Sequence, residues 1–202
     1  PKEMDKIKGW HSRGYLPHYD NDRRAQFVTF RLHDSLPKNA LSRLKEKSRV
    51  NMLRGKDDLE LQRLTEKYLD KGEGECYLRL RQVAEVVENK ILGLHLSRLI
   101  LIVWVIMPNH VHLLFSPMAG NSMTAIMQLI KGATAKEANL LLGRTGSFWM
   151  RDYFDRYIRD AEHFRKAVRY IENNPVKAGL CDRAEDWRLG SAWWREREKE
   201  VN

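Results

Sequence analysis

The stretch VIMPNHVHLLF, residues 105–115, decides the fold. Pro108 and Asn109 are turn formers between two apolar runs, so LILIVWVIM (99–107) and HVHLLFSP (110–117) predict an antiparallel hairpin. The first run is apolar without a break, as a strand buried on both faces requires, and it is too short to span a bilayer as a helix. The second alternates, with Val111, Leu113 and Phe115 on one face and His110 and His112 on the other. Two imidazoles on one strand face lie within reach of a single ion. They serve equally well as hydrogen-bonding sheet residues, and two ligands do not complete a metal site.

Downstream of the hairpin, Met123, Ile126, Met127, Ile130, Ala133, Ala138 and Leu141 recur at helical spacing, predicting a helix over 122–142. FDRYIR (154–159) alternates as a strand. Asp160 is placed to N-cap a helix from 161 to about 173, stopped by Pro175. On that helix Ala161, Phe164, Ala167, Val168 and Ile171 form the apolar stripe, and Tyr170 and Asn174 stack on its flank four residues apart. Tyr170 fits a half-buried packing role as well as a chemical one, and Asn174 before a proline also fits a helix stop.

Upstream, AQFVTFRL (25–32) places Phe27, Thr29 and Arg31 opposite Val28, Phe30 and Leu32. Leucines at steps of three and four over 39–71 predict one broken or two consecutive amphipathic helices, with Gly55 a candidate break. A further helix is expected over 79–93. The order β-(αα)-ββ-α-β-α predicts an α+β fold, a ferredoxin-like antiparallel sheet with helices on one face and an enlarged helical first crossover. The expected organisation is an irregular arm over 1–24, a main domain over 25–180 carrying the helical insertion 39–94, and a tail over 181–202.

The chain has 202 residues and 43% apolar composition, enough for a packed core. With 36 Lys+Arg against 27 Asp+Glu it carries a net charge of +9, which favours a polyanionic partner such as nucleic acid. Two distant cysteines, Cys76 and Cys181, argue against a disulfide framework or zinc knuckle and for a cytoplasmic setting. PKEMDKIKGW is charged and has no apolar core, so neither a signal peptide nor membrane association is expected.

PNHVHLL, then YIENNPVKAGL nearly sixty residues later, together with GWHSRGYLPHY, QFVTFRLHDSLP and SFWMRDYFDRYIRD, resemble the Y1 transposases of the HUH endonuclease superfamily. The likeness is closest to the REP-associated tyrosine transposases. It implies a single-stranded DNA endonuclease and strand transferase acting at hairpin-forming palindromic repeats. His110, His112 and Asn174 would hold Mg²⁺ or Mn²⁺, and Tyr170 would attack the scissile phosphate to leave a 5′-phosphotyrosine and a free 3′-OH. Insertion-sequence relatives carry Gln where this chain has Asn174, a shorter amide. Tyr153 and Tyr157 rank below Tyr170 as nucleophiles because neither has a ligand partner four residues on. No side chain stands out in the sequence as a general base. Relatives read a short single-stranded tag beside the hairpin foot. Trp10, Arg13, Tyr15 and His18 in the arm suit that task, and Lys131, Arg151 and Arg156 suit the hairpin. Relatives act as dimers or monomers, and either state is compatible with this chain. A hairpin-binding protein without catalysis is the alternative. A zinc hydrolase built on the HxH pair would need a nearby acidic base that HVHLLFSP lacks.

Overall fold

In the computed structural model the Pro108-Asn109 turn closes a two-residue hairpin, with Met107 N donating to His110 O at 2.8 Å. The structure describes residues 9–12, 17–20, 24–37, 40, 42, 44, 46 and 59–201, so the Gly55 break lies outside the described residues. Strands β1 (Gly9–Ser12) and β2 (Pro17–Asp20) pair as a separate small hairpin. The main sheet contains β3 (Gln26–Arg31), β4 (Leu99–Ile106), β5 (His110–Pro117) and β6 (Phe154–Tyr157). Its order is β4-β5-β3-β6, antiparallel throughout. That order is the ferredoxin-like one, in which the first and third strands of the motif form the centre.

The helices are α1 (Leu59–Leu69), α2 (Arg81–Gly93), α3 (Met123–Leu141), α4 (Ala161–Glu172), the single turn α5 (Asn174–Lys177) and α6 (Ser191–Val201). They cover both faces of the sheet, where the sequence pattern suggested one. Val28, Phe30, Ile106, Val111, Leu113 and Phe115 pack with α2 and α3. Phe27, Val103, Val105, Met107 and Leu114, on the opposite face, pack with Ala167 and Ile171 of α4. Alternation along β5 puts His110 and His112 on this second face, beneath α4. Burying the central strands on both sides explains why β3 is buried at all six positions.

Local signals set the helix ends. Ser122 caps α3 by accepting from Ala125 N at 3.1 Å, and Asp160 caps α4 by accepting from His163 N at 2.7 Å. The buried stripe of α3 runs through Thr134 instead of Ala133. Thr134 Oγ1 donates to Ile130 O and accepts from Trp149 Nε1 at 2.9 Å, so a polar residue is fully satisfied inside the core. In the crossover, Leu44 and Leu69 close a small cluster with Leu36.

The tail is integral to the sheet. Ile106 N donates to Leu189 O at 2.8 Å, Val105 bridges Gly190, and Trp187 Nε1 donates to Ile106 O at 3.0 Å. Trp194 Nε1 and Arg188 both bond the buried Glu88 carboxylate on α2. Ser191 and Arg195 bond Glu172 at the end of α4. At the opposite edge, β2 runs close to β6.

Candidate active site

The central strand β5 delivers two buried imidazoles to one point, and neighbours fix how each ring faces. Asn109 Nδ2 donates to Leu69 O at 3.2 Å and to Glu73 O at 3.1 Å, so its Oδ1 accepts from His110 Nδ1 at 2.7 Å. His110 therefore carries its proton on Nδ1 and leaves Nε2 bare. The opposed Nε2 of His112 is 3.1 Å away, and His112 Nδ1 lies 2.7 Å from Thr29 Oγ1 on β3. A threonine hydroxyl donates or accepts, so either His112 tautomer is accommodated. Burial is total and holds both rings neutral. His110 is pushed down to about 3 by desolvation, helped by the Lys177 charge, and His112 is pushed down by desolvation, His110 and Lys177.

The helix above supplies the rest. Tyr170 stands edge-on to His112, ring centres 5.4 Å apart, and to Phe27 at 5.9 Å. Asn174, fully buried, places Nδ2 at 3.2 Å from His112 Nε2, while its Oδ1 is buried without a partner among the described residues. Two donors bound about 2.1 Å from one ion at a right angle stand about 3 Å apart, close to the spacings found here. The two ends of an amide are interchangeable in shape, so Asn174 offers its oxygen at this point when a cation faces it. With His112 in the tautomer that keeps its proton on Nδ1, two bare nitrogens and an amide oxygen fit a divalent cation, with Asn109 and Thr29 orienting the rings as outer partners do in metal sites. Groups of three or more His, Cys, Asp or Glu suited to a metal are absent among the described residues.

The Tyr170 hydroxyl is buried and has no hydrogen-bond partner of good geometry among the described residues. Desolvation raises its pKa far above the ordinary phenol range, and Glu66 and Asp70 add to the rise. Glu66, buried on α1, and Asp70 just beyond it belong to the helical crossover, and periodicity gave no sign that they reach the Tyr170 helix. Their four-residue spacing was the only available signal. Asp70 Oδ2 in turn holds Lys177 Nζ at 2.6 Å, and that ammonium lies 5.8 Å from the centre of the Tyr170 ring.

The other residues singled out by sequence lie apart. Lys131 and Arg151 line a cleft of about 370 Å³ between α3 and the start of β6, with Gln128, Asp152 and Tyr153. Lys131 Nζ donates to Arg151 O at 2.5 Å, and desolvation lowers its pKa to about 8. Arg156 is on β6, opposite Phe27. Trp10 and His18 are in the β1–β2 hairpin, opposite Tyr19 and His11 respectively, whereas Arg13 and Tyr15 lie outside the described residues. Tyr153 packs toward the α2–α3 core with Lys131 over its ring, and Tyr157 lies under Arg24.

A family model for IS200-like transposases matches residues 73–174, half of the chain. The chain belongs to the IS200-like transposase family. It is therefore placed among transposases, enzymes that cut and rejoin DNA. Among solved structures, a REP-associated tyrosine transposase bound to a REP hairpin aligns with a TM-score of 0.54 at 17% identity, covering 95% of this chain and 88% of that one. It shares the fold. A Deinococcus radiodurans R1 protein described as a transposase aligns at 17% identity with a TM-score of 0.35, over 81% of this chain and 96% of that one. No curated protein matches the chain. No helix among the described residues of this transposase is long and apolar enough to cross a membrane.

Proposed function

We propose that this transposase nicks and transfers single-stranded DNA beside hairpin-forming repeats, using Tyr170 as the nucleophile. The observation that carries the reading is the convergence of Tyr170, His110, His112 and Asn174 at one buried point. Likeness in fold to a transposase bound to a REP hairpin supports the choice of DNA.

In this reading Tyr170 Oη attacks the scissile phosphorus, the bond to the 3′ oxygen breaks, and the 5′ side remains on the tyrosine. Glu66, whose charge acts on the Tyr170 hydroxyl, takes the phenol proton in this reading, and solvent returns a proton to the 3′ oxygen. Each bond broken is replaced by another phosphodiester, so a second 3′-OH reverses the step without an external energy source. His110, His112 and Asn174 hold Mg²⁺ or Mn²⁺, which when bound supplies Lewis-acid polarisation and orientation of the phosphate. Burial keeps both imidazoles unprotonated and ready to ligate. Phe27 against Tyr170 and His112 limits water around the nucleophile. Lys131, Arg151 and Arg156 contact the hairpin backbone, and Trp10, Arg13, Tyr15 and His18 hold unpaired bases.

The test is incubation with Mn²⁺ and labelled oligonucleotides that carry hairpins with single-stranded flanks, followed by a denaturing gel. Wild type is expected to form a covalent adduct and Tyr170→Phe none. Equal adduct in both would remove Tyr170 from the role. Hairpin binding without any adduct would instead make the chain a DNA-hairpin-binding protein on the same fold.

A further inference from the structure

Lys177 ends the α5 turn three residues after Asn174, and its charge acts on both buried histidines. It lies over the Tyr170 ring and is held there by Asp70, which comes from the far end of α1. The Lys177 side chain is 55% exposed and that of Asp70 17%, so the ammonium beside the Tyr170 ring is open to solvent while its counter-ion is largely sunk. The second Asp70 oxygen is buried without a partner among the described residues, so the carboxylate spends its one good contact on Lys177. The ammonium end of the pair is open to solvent, so its attraction is screened there and an arriving phosphate competes with the carboxylate for it. Neither residue falls in the 73–174 stretch that carries the family match.

We propose that Lys177 grips the non-bridging oxygens of the phosphate that Tyr170 attacks, and that Asp70 parks the ammonium over the nucleophile until DNA takes its place. The proposal rests on Tyr170 being the nucleophile. An ammonium on a flexible stem suits a phosphate whose charge shifts during attack, because it follows the oxygens without imposing a fixed fork. The helical crossover thereby contributes to the chemistry by holding a cation in readiness.

The experiment uses the full chain with Mn²⁺ and a hairpin oligonucleotide, measuring single-turnover adduct formation and, separately, hairpin affinity across a salt series. Lys177→Ala is expected to slow adduct formation by roughly 10²–10³-fold, as loss of a transition-state donor does. Lys177→Arg, which keeps the charge, is expected to stay within about tenfold of wild type. Lys177→Ala is also expected to lower the salt slope of binding by about one phosphate contact. Asp70→Asn frees the ammonium and is expected to tighten hairpin binding about two- to fivefold, the scale of an exposed ion pair. A wild-type rate and salt slope in Lys177→Ala would overturn the proposal. So would an Asp70→Asn loss as large as that of Lys177→Ala, because the pair would then be a strut between α1 and α5. A wild type that forms no adduct removes the reading of Tyr170, while the salt slope still decides whether Lys177 touches phosphate.

Discussion

At the scale of single residues, the two histidines couple stability to acidity. Folded His110 stays neutral down to about pH 3, whereas an unfolded histidine takes a proton near 6.5. Between those values the unfolded chain binds more protons, so the contribution is complete above 6.5 and is lost as pH falls toward 3. The slope is about 1.4 kcal/mol per pH unit for each such group, and His112 acts in the same direction. Thermal melts in chelator should fall across this window, and His110→Gln should flatten the fall. An unchanged profile would mean that the buried ring already takes up a proton. Thr29 gives a second residue-level expectation. Thr29→Val keeps the shape and removes the partner of His112 Nδ1, so Mn²⁺ affinity measured by calorimetry should drop about 10–100-fold. Full affinity in that variant would leave Thr29 a packing residue only.

At the scale of elements, the hairpin, α3 and α4 were legible because their causes are local: a Pro-Asn turn, period-two and period-3.6 patterns, and the caps Ser122 and Asp160. The His110, His112, Tyr170 and Asn174 constellation was legible because alternation and a four-residue step fix two faces, and the family likeness names them as partners. What stayed hidden is non-local. Asn109 read as a turn residue, yet it also orients His110 and ties the hairpin to Leu69 at the end of α1. Glu66 and Asp70 were not singled out within the amphipathic pattern of 39–71, since no periodicity says which neighbour a polar face meets. Helices on both sheet faces were also missed, because alternation of apolar residues in β3 and β5 does not reveal how many layers cover them. The Thr134–Trp149 bond shows the energetic weight of such pairings. Thr134→Val leaves a buried indole N–H without its acceptor and should cost about 1–3 kcal/mol in denaturant unfolding. A smaller loss would mean that water replaces the hydroxyl.

At the scale of the whole molecule, the net charge of +9 predicts strongly salt-dependent DNA binding. Removing Lys131, Arg151 and Arg156 together should weaken hairpin affinity and reduce the slope of log affinity against log salt by about two to three, provided each neutralises one phosphate. An unchanged slope would move the hairpin to another face. Since desolvation lowers Lys131 to about 8, its share of binding should fade as pH rises through that value, while the arginine contacts persist.

The outer side of β4 has one more consequence. Leu99 O accepts from Leu96 N, Leu101 N donates to the His95 ring, Trp104 N donates to Ser191, and Ile106 uses both its backbone groups on Leu189 and Trp187. Several of the hydrogen-bonding positions that a strand from another copy would seek are thus already occupied from within the chain. An apolar edge strand of this length is ordinarily a template for runaway pairing. Here the loop before β4 and the residues that follow α4 act as a built-in guard against it, so a chain truncated before Trp187 should fail first in solubility, ahead of any loss in DNA cutting.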